Sequence, residues 1–395
     1  MAENRAENGN GASKSRSGNE EEEEAFAKLL EKYDAAPDHV LLAGGVEDWD
    51  GVVPEQVDRY GFVEMSKQQQ QQQRHSHRSV QLLLRPTNLK VRAPNALAPN
   101  HSSQEALQTE IRRESKWAAM ATRSVAADNS VSFSFDLRHP KMRSRTLKGV
   151  PDSWRAVAWA SFLSRSSASA SSDKHLADTL YPQYLSQPSS ADSQIDLDVP
   201  RTIQRHVMFS ARYKGGQRLL FRVLHAFSIH RADVGYVQGM APLAATFLCY
   251  FDEATAFVML VRLFSTHHMA ELYAYGFGGL KSTFDDLSTA LRPSKVGKTL
   301  ESLGVDPMLY ATKWYLTLFN YAVPFETQLR IWDYFLLLGS VNVLHAAAIA
   351  LLDSLGDEIG EDFEQTLSRL TAFIDIKDND LFMRVLDYEL KHLNR

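Results

Sequence analysis

The sequence is poor in the residue types that several common functions require. It has 395 residues and one cysteine, Cys249, so neither an intrachain disulfide framework nor a multi-cysteine zinc site exists. No stretch approaches the roughly 18 continuous apolar residues of a membrane span. The opening segment MAENRAENGNGASKSRSGNEEEEE lacks the apolar core of a secretory signal, and its acids argue against a transit peptide. A formal net charge of −5 is the wrong sign for a general nucleic-acid binder. There is no G-x-x-x-x-G-K-[ST] phosphate loop and no G-x-S-x-G elbow. A stand-alone hydrolase is accordingly the weakest reading. These absences leave a protein of a reducing compartment, acting in the cytoplasm or on a cytosolic membrane face.

What is present suffices for a large core. Hydrophobic residues make up 44% and charged residues 23%, close to ordinary globular usage. Residues 1–103 read as a low-complexity, mostly disordered extension. The acid run Glu20–Glu24 and the glutamine tract Gln68–Gln73 bury too little apolar surface to offset chain entropy. Within this extension, Ala25–Tyr33 is a candidate short helix. The aromatics of Val46-Glu-Asp-Trp49 and Tyr60-Gly-Phe62-Val63 need a surface to bury against, on the main domain or on a partner.

Downstream, the 3.6-residue period dominates. A helix is expected from Ser102 or Ser103, with Leu107, Ile111, Trp117 and Met120 as a partial stripe. Val131, Phe133, Phe135 and Leu137 alternate with polar residues and read as one isolated extended segment, because no second strand-like run offers a partner. Four stripes follow: Leu220, Val223, Leu224 and Phe227; Phe325, Leu329, Trp332 and Phe335; Phe363, Leu367 and Leu370; and Phe382, Val385, Leu386, Leu390 and Leu393. Ala241–Tyr250 and Ala254–Phe264 are apolar nearly all round, as central helices are. The Ser/Ala-rich SRSSASASSDK reads as a surface loop. The fold class expected is all-α.

Local chemistry is sparse. His267, His268 and Glu271 lie within one helical turn and admit a metal in principle, but adjacent histidines are more often ordinary surface. The glycines of Tyr275-Gly-Phe-Gly-Gly279 do not follow a strand and form no phosphate cradle. Cys249 sits in an apolar run, where a thiol is inert. Arg138, Lys141, Arg143, Arg145 and Lys148 suit contact with anionic lipid or an acidic partner, although such runs are more often a solvated face.

Two short segments are harder to explain as packing. In Ile195-Asp-Leu-Asp198-Val-Pro200-Arg201, Asp198 suits an N-cap and Pro200 a first helical turn. Arg201 would then sit at the positive end of a helix dipole, disfavoured by roughly 0.3–1 kcal/mol. It either pairs with Asp196 or Asp198 as a structural ion pair, or is there for another reason. In Gly235-Tyr-Val-Gln238-Gly239-Met, flanking glycines permit an unusual turn. Gln238 is either a local cap or an amide presented to a ligand or water.

Taken together, these segments resemble the TBC-domain family of Rab GTPase-activating proteins. The family's I-x-x-D-x-x-R motif is matched by Ile195, Asp198 and Arg201, and its Y-x-Q-G motif by Tyr236, Gln238 and Gly239. Gly149, Pro151, Arg155 and Trp159 resemble the family's opening motif. Tyr310-Ala-Thr-Lys-Trp314, Phe319, Pro324-Phe325 and Arg330-Ile-Trp332-Asp333 are similar to its C-terminal half, and Arg113–Met120 to its lead-in helix. The likeness spans roughly residues 104–375, with the motifs in family order. It implies a multi-helix TBC domain in two lobes, with a lead-in helix and linker at 104–147, a core at 148–340 and further helices at 341–395 packed on it. It implies that Arg201 acts as an arginine finger and Gln238 as a glutamine finger, supplied in trans to a GTP-bound Rab. Asp198 would hold the Arg201 loop and Tyr236 the Gln238 turn. Gly149, Pro151, Arg155, Trp159, Arg330, Trp332 and Asp333 would be architecture. The chain would need no cofactor of its own, since GTP and Mg²⁺ travel with the GTPase, and would act in vesicle traffic, cytoplasmic or peripheral on a membrane. A catalytically silent scaffold that binds a Rab or an effector is the alternative. The likeness does not identify the Rab.

Overall fold

Capping residues punctuate the chain and fix where its helices start. Asp252, Ser294, Asp306, Asp362 and Asp378 each accept a hydrogen bond from a backbone N–H in the first turn of the helix that follows, satisfying donors that the helix leaves free. Gly304 and Gly339 close two helices in the left-handed conformation. The computed structural model describes residues 23–33, 57–63, 104–125, 129–164, 169–360 and 362–394. The acid run before residue 23, the glutamine tract, Trp49 and the serine proposed to cap the 104 helix lie outside the described residues.

Residues 23–33 form α1. Then come α2 (Gln104–Ala118), β1 (Ala121–Val125), β2 (Val131–Phe135), α3 (Met142–Leu147) and α4 (Asp152–Leu163). A helical stretch of α5 (Ser169–His175), a π turn (Leu176–Leu180) and α6 (Tyr181–Tyr184) precedes α7 (Asp192–Asp198) and a 3₁₀ turn (Val199–Arg201). Next are α8 (Gly215–His230), α9 (Met240–Leu248), α10 (Glu253–Thr266), α11 (Met269–Tyr273), α12 (Gly278–Leu291), α13 (Lys295–Leu303) and α14 (Pro307–Leu316). The last four are α15 (Phe325–Leu338), α16 (Asn342–Leu355), α17 (Phe363–Thr371) and α18 (Asn379–Leu393).

Every residue of α9 is buried, so this helix is the axis around which α8, α10 and α15 pack. The apolar stripes of α8 and α15 face that core. Phe363 and Ile111 are exposed instead, so the stripes of α17 and α2 are narrower than their spacing suggests. Trp117 and Met120 carry the packing of the α2 end.

The expected lone strand has a partner. β2 pairs antiparallel with β1, Phe135 opposite Ala121 and Val131 opposite Val125. β1 reads Ala-Thr-Arg-Ser-Val and is exposed along almost its whole length, so no buried face imposes the alternation by which a strand is recognised. Phe135 is the buried residue of the hairpin, its ring edge-on to Trp117 at 5.0 Å, and Phe133 adds an edge-on contact with Trp154 at 5.6 Å. The Ser/Ala-rich segment is also not all loop: from Ser169 it is helical, and its Asp173 pairs with Arg262 of α10. Two short stretches of the N-terminal extension dock on the domain. Phe62 is buried and bridges to His206, and Tyr60 stands edge-on to Phe325 at 5.4 Å.

The opening and closing motifs meet in one buried polar cluster. Arg155 donates from Nε to Asp333 Oδ1 at 3.1 Å and from Nη2 to the Val150 carbonyl at 2.7 Å, and also bonds Asp152. Trp159 Nε1 donates to the same Asp333 oxygen at 2.7 Å. The indoles of Trp159 and Trp332 lie 5.5 Å apart. Arg330 donates to the Leu147 carbonyl at 2.8 Å and pairs with Asp380 at 3.0 Å. It lies against Gly149, where a β-carbon would sit 3.5 Å from its Nε. Pro151, extended at φ −60°, ends the connection and starts α4.

Candidate functional site

Arg201 does not open a helix; it ends one. α7 runs into the 3₁₀ turn through Pro200, and Arg201 is its last residue. A cation at that end is favoured by the carbonyl-rich, negative pole, so the electrostatic conflict expected from the sequence disappears. Asp198 is correspondingly not an N-cap. Its side chain accepts from Arg201 Nη2 on Oδ1 and from the Tyr236 hydroxyl on Oδ2 at 2.7 Å. Of the two acids open as partners for Arg201, Asp198 takes the pair, while Asp196 turns to Tyr33. Arg201 Nε also donates to the Leu197 carbonyl at 2.8 Å, yet the side chain stays 56% exposed. Ile195, fully buried, pins α7 to the core. Thr202 closes the turn by donating to the Asp198 carbonyl at 2.8 Å.

The second segment arrives from α8. Arg231 grips Asp233 with two hydrogen bonds of 2.8 and 2.7 Å, and Gly235, at φ +65°, donates to the Arg231 carbonyl at 2.7 Å. This sharp reversal brings Tyr236 to Asp198. Burial and the bond to Asp198 push the Tyr236 phenol well above its ordinary pKa, so at neutral pH it is a hydrogen-bond donor and not a base. Gly239, at φ +109°, precedes α9 and takes the cap position considered for Gln238. Gln238 itself is exposed, and its amide bonds no described residue.

Beneath the Gln238 turn lies a support that carries no motif. The Tyr273 hydroxyl donates to the Leu316 carbonyl, and a β-carbon on Gly239 would lie 3.5 Å from Leu316 and 3.6 Å from that hydroxyl. Trp332 Nε1 donates to the Leu318 carbonyl at 2.8 Å, tying this support to the buried cluster. Leu318, Phe319 and Tyr321 all have positive φ, a strained run for side-chain-bearing residues. Tyr321 accepts from the Ile203 N–H at 3.3 Å, which closes the frame beside Arg201. Sequence reasoning missed Tyr273, Leu316, Leu318 and Tyr321; nothing local marks them. The Arg231–Asp233 pair, two residues apart, was readable.

The other candidates fall apart or are already occupied. His267 is buried, its Nε2 2.9 Å from the Leu336 carbonyl oxygen, whereas His268 is exposed and meets Glu271; the three do not converge. The Cys249 thiol lies against the Ala245 carbonyl, and burial pushes its pKa up. Within the basic stretch, Arg143 is committed to Tyr334 and Asp387 and Arg145 to the Lys116 carbonyl; Arg138, Lys141 and Lys148 are exposed. No helix among the described residues is long and apolar enough to cross a membrane.

This helical architecture has solved counterparts. The Ypt/Rab-GAP domain of Gyp1p superposes with a TM-score of 0.60 at 19% identity, over 72% of this chain and 98% of that one. The Chlamydomonas flagellar RabGAP TBC domain gives 0.56 at 23%, over 71% and 92%. Those likenesses establish the fold. Residues 152–359 match the Rab-GTPase-TBC domain family, and the chain belongs to that family. A TBC domain-containing protein of Schizosaccharomyces pombe is 42% identical, over 72% of this chain and 69% of its own length. The Rab GTPase-activating protein tbc-11 of Caenorhabditis elegans is 31% identical over 58% of this chain, and that match covers only 25% of the worm protein.

Proposed function

We propose that this protein accelerates GTP hydrolysis by a Rab-family GTPase, lending Arg201 and Gln238 to the partner's nucleotide site. The observation that carries the reading is the shared carboxylate. Asp198 holds Arg201 on one oxygen and Tyr236, two residues from Gln238, on the other. A structural ion pair needs no exposed guanidinium, and a helix cap needs no exposed amide.

GTP hydrolysis passes through a transition state in which charge spreads over the γ-phosphoryl and leaving oxygens. A guanidinium is always charged and offers a planar fork of donors to phosphate oxygens. Supplied in trans it raises the rate by about 10³–10⁵, or roughly 4–7 kcal/mol. The Gln238 amide, which bonds no described residue, orients the attacking water. Asp198 and Tyr236 do not react; they fix the direction of approach. GTP and Mg²⁺ come with the partner, so the chain requires no cofactor of its own. The setting for this activity is the cytosolic face of a membrane, where it would end the active state of a Rab in vesicle traffic.

The test is single-turnover GTP hydrolysis across a panel of purified Rabs, with wild type and Arg201→Lys side by side. Stimulation of one or a few Rabs, lost by about 10³-fold or more in the variant, is the expected result. Normal stimulation by Arg201→Lys would sink the finger assignment. Binding without stimulation by wild type would move the protein to a silent scaffold.

A further inference from the structure

α1 lies far outside the family-matched segment, which begins at residue 152, yet it docks on α7, the helix that leads into the Arg201 turn. The Tyr33 hydroxyl donates to Asp196 Oδ1 at 2.7 Å, and its ring stacks on Phe221 of α8 at 4.2 Å. Arg218 of α8 donates to the Tyr33 carbonyl at 3.2 Å, fastening the end of α1. One helical turn pair earlier, Phe26 stacks on His225 at 5.0 Å, and His225 Nδ1 lies 2.6 Å from Asp192 Oδ1. Asp192 and Asp196 are four residues apart and share one face of α7. Phe26, Leu29 and Tyr33 are the buried side of α1, so its apolar face is spent on this contact.

We infer that α1 belongs to the activating machinery, with Tyr33 and Phe26 as positioning residues that hold α7 and through it aim Arg201. The inference rests on the GTPase-activating reading of Arg201. α7 has seven residues, too few to be stable alone, so its orientation is set by what grips its side chains. Asp192 and Asp196 are gripped from the α1–α8 side, Asp198 from the Tyr236 side. Pro200 stiffens the turn between α7 and Arg201, and the Arg201 Nε bond returns to Leu197 of α7. A tilt of α7 is therefore passed on to the guanidinium and not absorbed between them.

Tyr33→Phe and Phe26→Ala, each made in the full chain, test this. Amide hydrogen exchange over residues 192–201 is read together with kcat and KM for the Rab that wild type stimulates best. Loss of the Tyr33 hydroxyl should speed exchange there while leaving α9 and α15 unchanged. It should lower kcat about three- to tenfold, the worth of one hydrogen bond, with KM unaltered. Phe26→Ala should do the same more strongly. Unchanged exchange over 192–201 would overturn the inference, as would faster exchange with an unchanged kcat. Loosening of all helices alike would reduce α1 to a general stabiliser, and a raised kcat would make it an inhibitor; each contradicts the positioning role. A wild type that stimulates no Rab would refute the activating reading by itself, while the exchange result still decides whether α1 holds α7.

Discussion

Removing the carboxylate of Asp333 should destabilise the domain more than any surface change can. Asp333 is fully buried and accepts from Arg155 Nε, Arg155 Nη2 and Trp159 Nε1 at 3.1, 3.3 and 2.7 Å. In Asp333→Ala the Arg155 guanidinium, itself buried, keeps its charge and loses its main counter-ion. Breaking a buried pair in this way costs about 3–5 kcal/mol, against a total stability of about 5–15 kcal/mol for a typical domain. Burial raises the Asp333 carboxyl above its ordinary pKa even with Arg155 beside it, so desolvation offsets much of the attraction. The double variant Arg155→Met/Asp333→Leu should consequently lose clearly less than the sum of the single changes. Urea unfolding followed by far-UV circular dichroism measures all three. An Asp333→Ala protein within about 1 kcal/mol of wild type would refute the argument, since that is the worth of an exposed pair.

Trp332→Ala should cost about 3–5 kcal/mol, because the indole fills the core beside Trp159 and holds the Leu318 carbonyl; an equally stable variant in the same titration would contradict this. Gly239→Ala should cost about 1–3 kcal/mol through its φ of +109°, not through a clash, and should depress stimulation along with melting temperature; an unshifted Tm would show that the turn tolerates a side chain. His345 is buried and bonded to the Tyr315 hydroxyl at 2.8 Å, and burial lowers its pKa to about 4. The unfolded chain takes up this proton near pH 6.5 and the folded protein only near pH 4. Stability from this group is thus full above pH 6.5 and falls as pH drops toward 4, by about 2 kcal/mol between pH 7 and 5. His345→Gln should lose that part of the acid sensitivity in urea titrations at the two pH values, and an identical pH slope would count against it.

The helices were legible where burial and period coincide. α9 reads as apolar on every side because every side is buried, and the α8 and α15 stripes follow for the same reason. β1 escaped because both its faces meet water and backbone bonds alone set its register. The two segments of the candidate site stood out locally, but their connection did not. Asp198 suited a helix cap and a partner for Arg201 equally well in one dimension; the run of α7 through it excludes the cap, and the path of the chain from Arg231 to Tyr236 brings its second partner. Arg201 was assigned to the wrong pole of a helix because Pro200 suits a first turn and a closing 3₁₀ turn equally well. Tyr273 and Leu316 support Gly239 from a distant part of the chain, a long-range contact that no spacing encodes.

The grip of one carboxylate on two segments has a consequence for the timing of order. Left to themselves, a long arginine side chain and a loop tip would each have to be immobilised when a partner arrives, at about 0.5–1.5 kcal/mol for each side chain fixed. Here Arg201 and the backbone leading to Gln238 are arrested when the chain folds, because Asp198 cannot bind Tyr236 without also fixing the floor on which Arg201 stands. Encounter then finds a half-frozen surface, with the Gln238 amide as the part still to settle. If Arg201 and Gln238 act on a GTPase as proposed, such a surface discriminates by fit and not by adaptation, so a partner whose nucleotide site is displaced by even an ångström should be refused more sharply than its affinity alone would suggest.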